Sequence, residues 1–399
     1  MRMRTINLDH NATTPLDPRV REALDAAGRA EYANPASQHT AGRRARHVLE
    51  EARERIAELL GAKQHGVRVL LTSGGTEANN LALFGLAGQT PSRIVVSAIE
   101  HPSVLGAAGQ LERRGWQVKR IAVSSEGVFD LDQLRAALTA PTQLVSLMWG
   151  NNETGVLQPI VEAAHLCRAA GVPLHTDAVQ VAGKLPVNFD HLGVSALSLA
   201  AHKFHGPRGI GALVVDPAAP IESLMWGGFQ QHGLRPGTES VELAVAMCQA
   251  LELWAAEAAA RRERMAMLRD RFESLLRAGR SGLIVNGGRA ERLPHTSNLS
   301  FVGLDRQELF VALDLAGVQC STGSACASGS SEPSPVLLAM GLPEPVVGSA
   351  LRFSLGADTT ATDIDEAAAR ILQVCNDLER SKQSRKIAAE PPARAANSL

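Results

Sequence analysis

Val67-Arg68-Val69-Leu70-Leu71-Thr72-Ser73-Gly74-Gly75-Thr76-Glu77 is an apolar run, then a glycine turn, then an acidic residue. The run 67–71 reads as a buried strand, and 77–86 beyond the turn keeps helical spacing. The same alternation extends outward from this stretch. Apolar runs at 94–96, 144–148, 172–175, 196–199 and 210–215 read as strands. Helical patterns at 104–113, 131–138 and 160–170 lie between several of them, the last stopped by Gly171. An earlier helical pattern, 45–59, is stopped by Gly61. Strand–helix alternation of this kind predicts an α/β domain around a mostly parallel sheet, with ligands bound beyond the carboxyl ends of its strands. From 239 to 276 the pattern becomes helical and reads as a long connector. Beyond it lie a strand near 298–301, a helix opened by Asp305 with Glu308 in capping-box spacing, a strand near 351–354 and a helix at 363–379. This is the pattern of a smaller α+β domain.

A chain of 399 residues is long enough for two domains. Hydrophobic residues at 45% and charged residues at 20% exclude wholesale disorder. The 40 basic and 41 acidic residues leave a net charge of -1, and the only tyrosine is Tyr32. That balance argues against direct nucleic-acid or acidic-membrane binding. The five cysteines, Cys167, Cys248, Cys320, Cys326 and Cys375, are odd in number and scattered. They form no disulfide framework, and a reducing cytoplasm is the expected compartment. Arg2 and Arg4 are followed by no apolar stretch, so no targeting segment is read, and no run approaches a membrane span. Residues 381–399 carry Pro391-Pro392, many alanines, and Lys382, Arg385, Lys386 and Arg394 against Glu390. They read as a disordered tail.

Three constellations point to one cofactor. Thr72-Ser73-Gly74-Gly75-Thr76-Glu77 joins a strand to a helix start, whose free N–H groups and dipole suit an anion. It has neither the lysine of a P-loop nor a G-x-G-x-x-G spacing, so a monophosphate fits better than a triphosphate. A plain βα turn is the competing reading. In His175-Thr176-Asp177-Ala178-Val179-Gln180, an acid closes a strand and faces the ligand crevice, although such an aspartate can merely cap the next helix. In Ala201-His202-Lys203-Phe204-His205-Gly206, a lysine follows a buried strand. Burying an ammonium is costly, and bonding its amine to an aldehyde removes that cost; a loop lysine in solvent is the bland alternative. A phosphate cup, an acid for a ring nitrogen and an amine for an aldehyde are together what pyridoxal phosphate requires.

A fourth stretch is Cys320-Ser321-Thr322-Gly323-Ser324-Ala325-Cys326-Ala327-Ser328-Gly329-Ser330-Ser331-Glu332-Pro333. Nearly everything from 321 to 331 is small or hydroxylic, which predicts a mobile loop able to carry a thiol. Cys320 ends an apolar run and reads as a buried strand cysteine. The step from Cys320 to Cys326 matches no common zinc spacing, and no metal is expected. Cys167, Cys248 and Cys375 sit in helical patterns and read as core.

Asn7-Leu8-Asp9-His10-Asn11-Ala12-Thr13-Thr14-Pro15, Asn34-Pro35-Ala36-Ser37, Thr76-Glu77, Asn151-Asn152-Glu153-Thr154-Gly155, His202-Lys203, Arg235-Pro236-Gly237-Thr238-Glu239 and Gly323-Ser324-Ala325-Cys326 resemble the cysteine desulfurases of the NifS/IscS type. These are class V aminotransferase relatives among the fold-type-I pyridoxal 5'-phosphate enzymes. The likeness runs from about residue 8 to residue 378, in order. It implies a mostly parallel sheet in a large cofactor domain, 16–260, preceded by a segment, 1–15, that joins the small domain. The small domain is 261–380, with the mobile cysteine loop at 321–333, and 381–399 is the tail.

The resemblance also implies roles. Lys203 would bind the cofactor aldehyde, and Asp177 would pair with the ring nitrogen. Gln180 and Asn152 would bond the ring oxygen, with Asn152 also placing substrate. His101 would stack on the ring and move protons. Gly75, Thr76 and His202 would hold the phosphate, and Thr238 would reach the phosphate of a second subunit, which implies a homodimer. Arg352 would clamp the substrate carboxylate. Cys326 would be the nucleophile, taking sulfur from L-cysteine as a persulfide and leaving L-alanine. Sulfur acceptors such as iron–sulfur scaffolds or tRNA-thiolation carriers would follow. One position departs from the family: Ala200 stands where a serine or threonine usually contacts the phosphate. Selenocysteine lyase, and another class V aminotransferase or lyase, remain alternatives, the latter opposed by Cys326 in its loop. A non-catalytic sulfur-relay scaffold is the alternative of a different class, favoured only by Ala200.

Overall fold

The computed structural model describes residues 4–323 and 332–389. A short strand β1 (Ile6–Asn7) opens it. Seven strands follow: β2 (Arg68–Thr72), β3 (Arg93–Ser97), β4 (Gln117–Ile121), β5 (Leu144–Met148), β6 (Leu174–Asp177), β7 (Ala196–Ala200) and β8 (Gly211–Val215). They form one sheet in the order β2-β8-β7-β6-β5-β3-β4. Only β8 runs against its neighbours; the other pairings are parallel. The sheet is buried on both faces, which is why its strands read as near-continuous apolar runs. Val69, Leu71, Val95, Val145, Leu147, Leu197 and Leu199 join one core cluster, with apolar residues of the helices Thr40–Leu59 and Ile160–Ala169. Leu70, Ile94, Val96, Leu144 and Leu213 join another on the opposite face, under the helices Gly75–Ala87 and Pro102–Arg113.

The strand β4 was not read from sequence. It lies at the sheet edge, and its residues Gln117, Lys119 and Arg120 are exposed. Charged side chains on an edge discourage further strand pairing and also erase the apolar signal. The helix Pro18–Ala30 was likewise unread, although Asp17 caps it by accepting from Arg19 N and Pro18 opens it.

One helix, Val241–Gly279, links the two halves of the molecule. Its first half gives Val241, Ala244, Met247 and Leu251 to the large core. Its second half gives Leu268, Phe272 and Leu276 to a separate core. Residue 260 therefore falls inside a continuous helix. The helix also contains an 18-residue window long and apolar enough to cross a membrane, by length and composition, which corrects the sequence reading. Alanines supply much of that apolar character, and its larger apolar residues are spent on the two cores.

The second core is built on β9 (Leu283–Val285), β10 (Thr296–Phe301), β11 (Val318–Gln319) and β12 (Ala350–Ser354). The antiparallel order is β12-β10-β9, and β1 pairs in parallel with β11. Phe353 packs between Phe272 and Phe301, with ring centroids 5.2 and 6.3 Å away. The last helix, Ala361–Ala389, continues through residues read as a disordered tail. Alanine, lysine and arginine favour helix, Arg380 pairs with Asp377, and Lys382 Nζ donates to Gly303 O at 2.8 Å. Residues 390–399 lie outside the described residues.

Candidate active site

The carboxyl ends of β2, β3, β5, β6 and β7 converge. They bring Gly75 and Thr76, His101, Asn152, Asp177 and Gln180, and His202 and Lys203 to one cavity of about 190 Å³. This is the ligand position that a parallel sheet favours. Gly74 offers no side-chain cap to the helix Gly75–Ala87, so the first-turn N–H groups remain available to an anion. A Cβ on Gly75 would come within 2.8 Å of Val179 Cγ2, so glycine fits here without displacing that side chain. His202 lines the same end, with Nδ1 3.2 Å from Thr13 Oγ1. Burial, then the Lys203 and Lys184 charges, hold its pKa down to about 4, so it faces a ligand as a neutral ring.

Asp177 ends β6 and is buried. Its Oδ1 accepts from Val179 N at 2.9 Å and its Oδ2 from Asn79 Nδ2 at 2.7 Å. Lys203 closes the short turn Ala201–Lys203 after β7. Its Nζ donates to Asn11 O at 2.6 Å and to Ala12 O at 2.9 Å. Gln180 Nε2 donates to the same Asn11 oxygen at 3.1 Å, and its buried Oε1 has no partner among the described residues. His101 caps the helix Pro102–Arg113: its Nδ1 accepts from Ser103 N at 3.1 Å and lies 2.7 Å from Ser103 Oγ. Beside it, burial pushes Glu100 up to about 8 although Ser97 Oγ and Met148 N donate to it.

These groups fit pyridoxal phosphate. The acid for a ring nitrogen, the amine for an aldehyde and the uncapped helix start sit around one space, and a buried amide oxygen is left unpaired there. Ala200 also lines the cavity, opposite Gly75. Ser198, which could have supplied the missing hydroxyl, is committed elsewhere: its Oγ is 2.9 Å from His175 Nε2.

Two sequence candidates lie apart from the cavity wall. Thr238 is exposed and does not line it. Arg352 is buried on β12; it donates to Asp9 Oδ1 at 2.6 Å and to Asn152 O at 3.0 Å, and its Nε has no partner among the described residues. It therefore reaches the cavity rim through Asn152. Cys326 lies outside the described residues. Next to that stretch, Arg352 Nη1 donates to Gly323 O at 3.4 Å and Ser334 Oγ to Glu153 Oε2 at 2.5 Å. Cys320 is buried in the small core, and burial pushes its thiol up, away from the reactive thiolate. Cys167, Cys248 and Cys375 are buried core residues.

Sequence reasoning missed Asn11, Asn79, Ser103 and Lys184. Asn79 stands one turn into the helix that follows the glycine turn, and Ser103 stands two residues after His101. Those positions were signals that they face the site.

Residues 6–367 match the aminotransferase class-V family. The cysteine desulfurase IscS of Dictyoglomus turgidum is 40% identical over 390 residues, 96% of this chain and 98% of that protein. A NifS-like protein from Rickettsia africae superposes with a TM-score of 0.85 at 30% identity, covering 93% of this chain and 99% of that one. SspA, solved in complex with cysteine, superposes with a TM-score of 0.78 at 32% identity, covering 89% and 100%. With the fold, the cofactor cavity and these likenesses together, the chain belongs to the class-V aminotransferase family of pyridoxal phosphate enzymes, in its cysteine desulfurase branch.

Proposed function

We propose that this chain takes sulfur from L-cysteine, releases L-alanine and keeps the sulfur as a persulfide on Cys326. The convergence of Lys203, Asp177, His101 and the uncapped helix start on one cavity, with Arg352 one hydrogen bond from its rim, carries this reading. Pyridoxal phosphate, when bound, supplies an electron sink for bonds at the substrate's Cα and Cβ. Asp177 would hold the ring nitrogen, kept in place by Asn79 and Val179 N. Gly75, Thr76 and His202 would hold the phosphate, and Asn152 and Gln180 the ring oxygen. Lys203 would hold the aldehyde and then, once displaced by the substrate amine, move the Cα proton. Arg352 would take the substrate carboxylate.

The Cys326 thiolate then attacks the substrate sulfur. An S–S bond forms as the Cβ–S bond breaks, its electron pair stays on carbon, and a proton completes alanine. A carrier thiol that retains its sulfur suits delivery to a protein acceptor, such as an iron–sulfur scaffold. Trp226 and Phe229 are 90% and 95% exposed, in the segment leading to Thr238. Two large exposed aromatics this close in sequence favour a second copy of the chain as their cover, with Thr238 reaching the partner's phosphate. The test is to supply L-cysteine to the purified enzyme and to Cys326→Ser. Wild type yields alanine and a persulfide on Cys326, and the variant keeps the cofactor's visible band but makes no alanine. Undiminished alanine from the variant would sink the proposal.

A further inference from the structure

Ser103 and Asn79 form a hydrogen-bonded bridge between the cavity's acid and its histidine. Asn79 Nδ2 donates to Asp177 Oδ2 at 2.7 Å and to Ser103 Oγ at 2.9 Å. Ser103 Oγ, having accepted that bond, lies 2.7 Å from His101 Nδ1. The backbone N–H of Ser103, which can only donate, also points at Nδ1, at 3.1 Å. Two donors on one ring nitrogen leave no room there for a proton. Asn79 is 1% exposed and Ser103 9%, so water does not compete freely for these bonds.

We propose that Ser103 and Asn79 are positioning residues that lock His101 in the neutral form carrying its proton on Nε2. A ring held this way donates a hydrogen bond from Nε2 and takes no proton there. Uptake at Nδ1 first requires breaking both Ser103 bonds. Within the proposed reaction, on which this assignment of roles rests, His101 then serves as a hydrogen-bond donor from Nε2, and Lys203 moves the Cα proton. The deprotonation of Cys326 does not use Nε2 of His101 as its base. The bridge also ties the ring to Asp177, so the group that would hold the cofactor nitrogen and the group that would stack on it share one frame. Other charged or titratable groups around His101 are Glu100 before it, Glu153 in the 151–155 turn, and His202 and Lys203, which line the same cavity.

The first test needs no turnover. Nitrogen NMR of the folded apoenzyme with ¹⁵N-labelled histidine, assigned by His101→Gln, reads the tautomer directly. The expected spectrum has an unprotonated Nδ1 and a protonated Nε2 for His101 at pH 7, and a protonated Nδ1 would overturn the lock. The second test is the pH profile of kcat. Ser103→Ala removes one of the two donors, so uptake of a proton at Nδ1 breaks one bond instead of two and the acid limb should move to higher pH. Ser103→Thr, which keeps the hydroxyl, should restore the wild-type limb. An unmoved limb in Ser103→Ala, or one that Ser103→Thr fails to restore, would overturn the proposal. A chain that shows the predicted tautomer but makes no alanine would instead count against the desulfurase reading.

Discussion

The two sides of the cavity are built differently. The large-domain side is made of strand ends, and its groups are tied to one another: Asp177 to Asn79, Asn79 to Ser103, Ser103 to His101. The small-domain side presents a buried cation, Arg352, whose fork is shared between Asp9 and the backbone oxygens of Asn152 and Gly323. The first side has its geometry set by a close-packed sheet before any ligand arrives. The second reaches the site across the boundary between two cores. A cofactor needs the first kind of wall, because it stays in place through each turnover. A substrate that must enter and leave, and a thiol that must carry sulfur outward, need the second. The comparison predicts that damage to the first side alters chemistry, and damage to the second alters capture.

The sharpest break would come at Asp177. Asp177→Asn keeps the shape and removes the charge, so kcat should fall about 10²–10³-fold, the scale of losing one preorganised electrostatic partner. Cofactor binding, followed by its visible band, should persist. A variant with normal kcat would erase the distinction between the walls. Next comes Arg352. Arg352→Lys loses the planar fork, and kcat/KM for cysteine should fall roughly tenfold to a hundredfold, mostly through KM. An unchanged KM with a reduced kcat would move Arg352 to the chemical side.

The smallest effect concerns Lys184, which belongs to neither wall. It is 4% exposed, its Nζ has no hydrogen-bond partner among the described residues, and burial with the Lys203 charge brings its pKa down to about 7. An unfolded lysine keeps its proton up to about 10.5, so between pH 7 and that value the unfolded chain binds more protons. Stability should therefore rise from pH 7 to pH 9. Lys184→Met should flatten that rise and add roughly 1–3 kcal/mol at pH 7, the cost of an unpartnered buried polar group. Denaturant unfolding of both proteins at the two pH values measures it. A pH slope unchanged in the variant would show that Lys184 is solvated.

Much of the cofactor wall was legible because its signals are local. A glycine turn between strand and helix, an acid closing one strand and a lysine after another can each be read within a few residues. The bridge was not legible, since Asn79 meets Ser103 across 24 positions and Asp177 across 98. Arg352 and Asp9 are 343 positions apart, and no periodicity links them. The edge strand β4 was hidden because its charged residues face water, and the last helix because alanine-rich sequence near a proline pair resembles a tail. The Ala200 departure was visible in sequence, yet its meaning needed the structure. Ser198 is bonded to His175, so the phosphate would rest on the helix start and His202.

Lys203, which lines the cavity, and not its buried neighbour Lys184 would hold the cofactor. Borohydride fixes pyridoxal phosphate to whichever lysine it is bound to, and peptide mass spectrometry then locates the tag. The tag is expected on the peptide containing Lys203, and Lys203→Ala should take none. A tag on Lys184, or a wild-type protein that takes none, would contradict it.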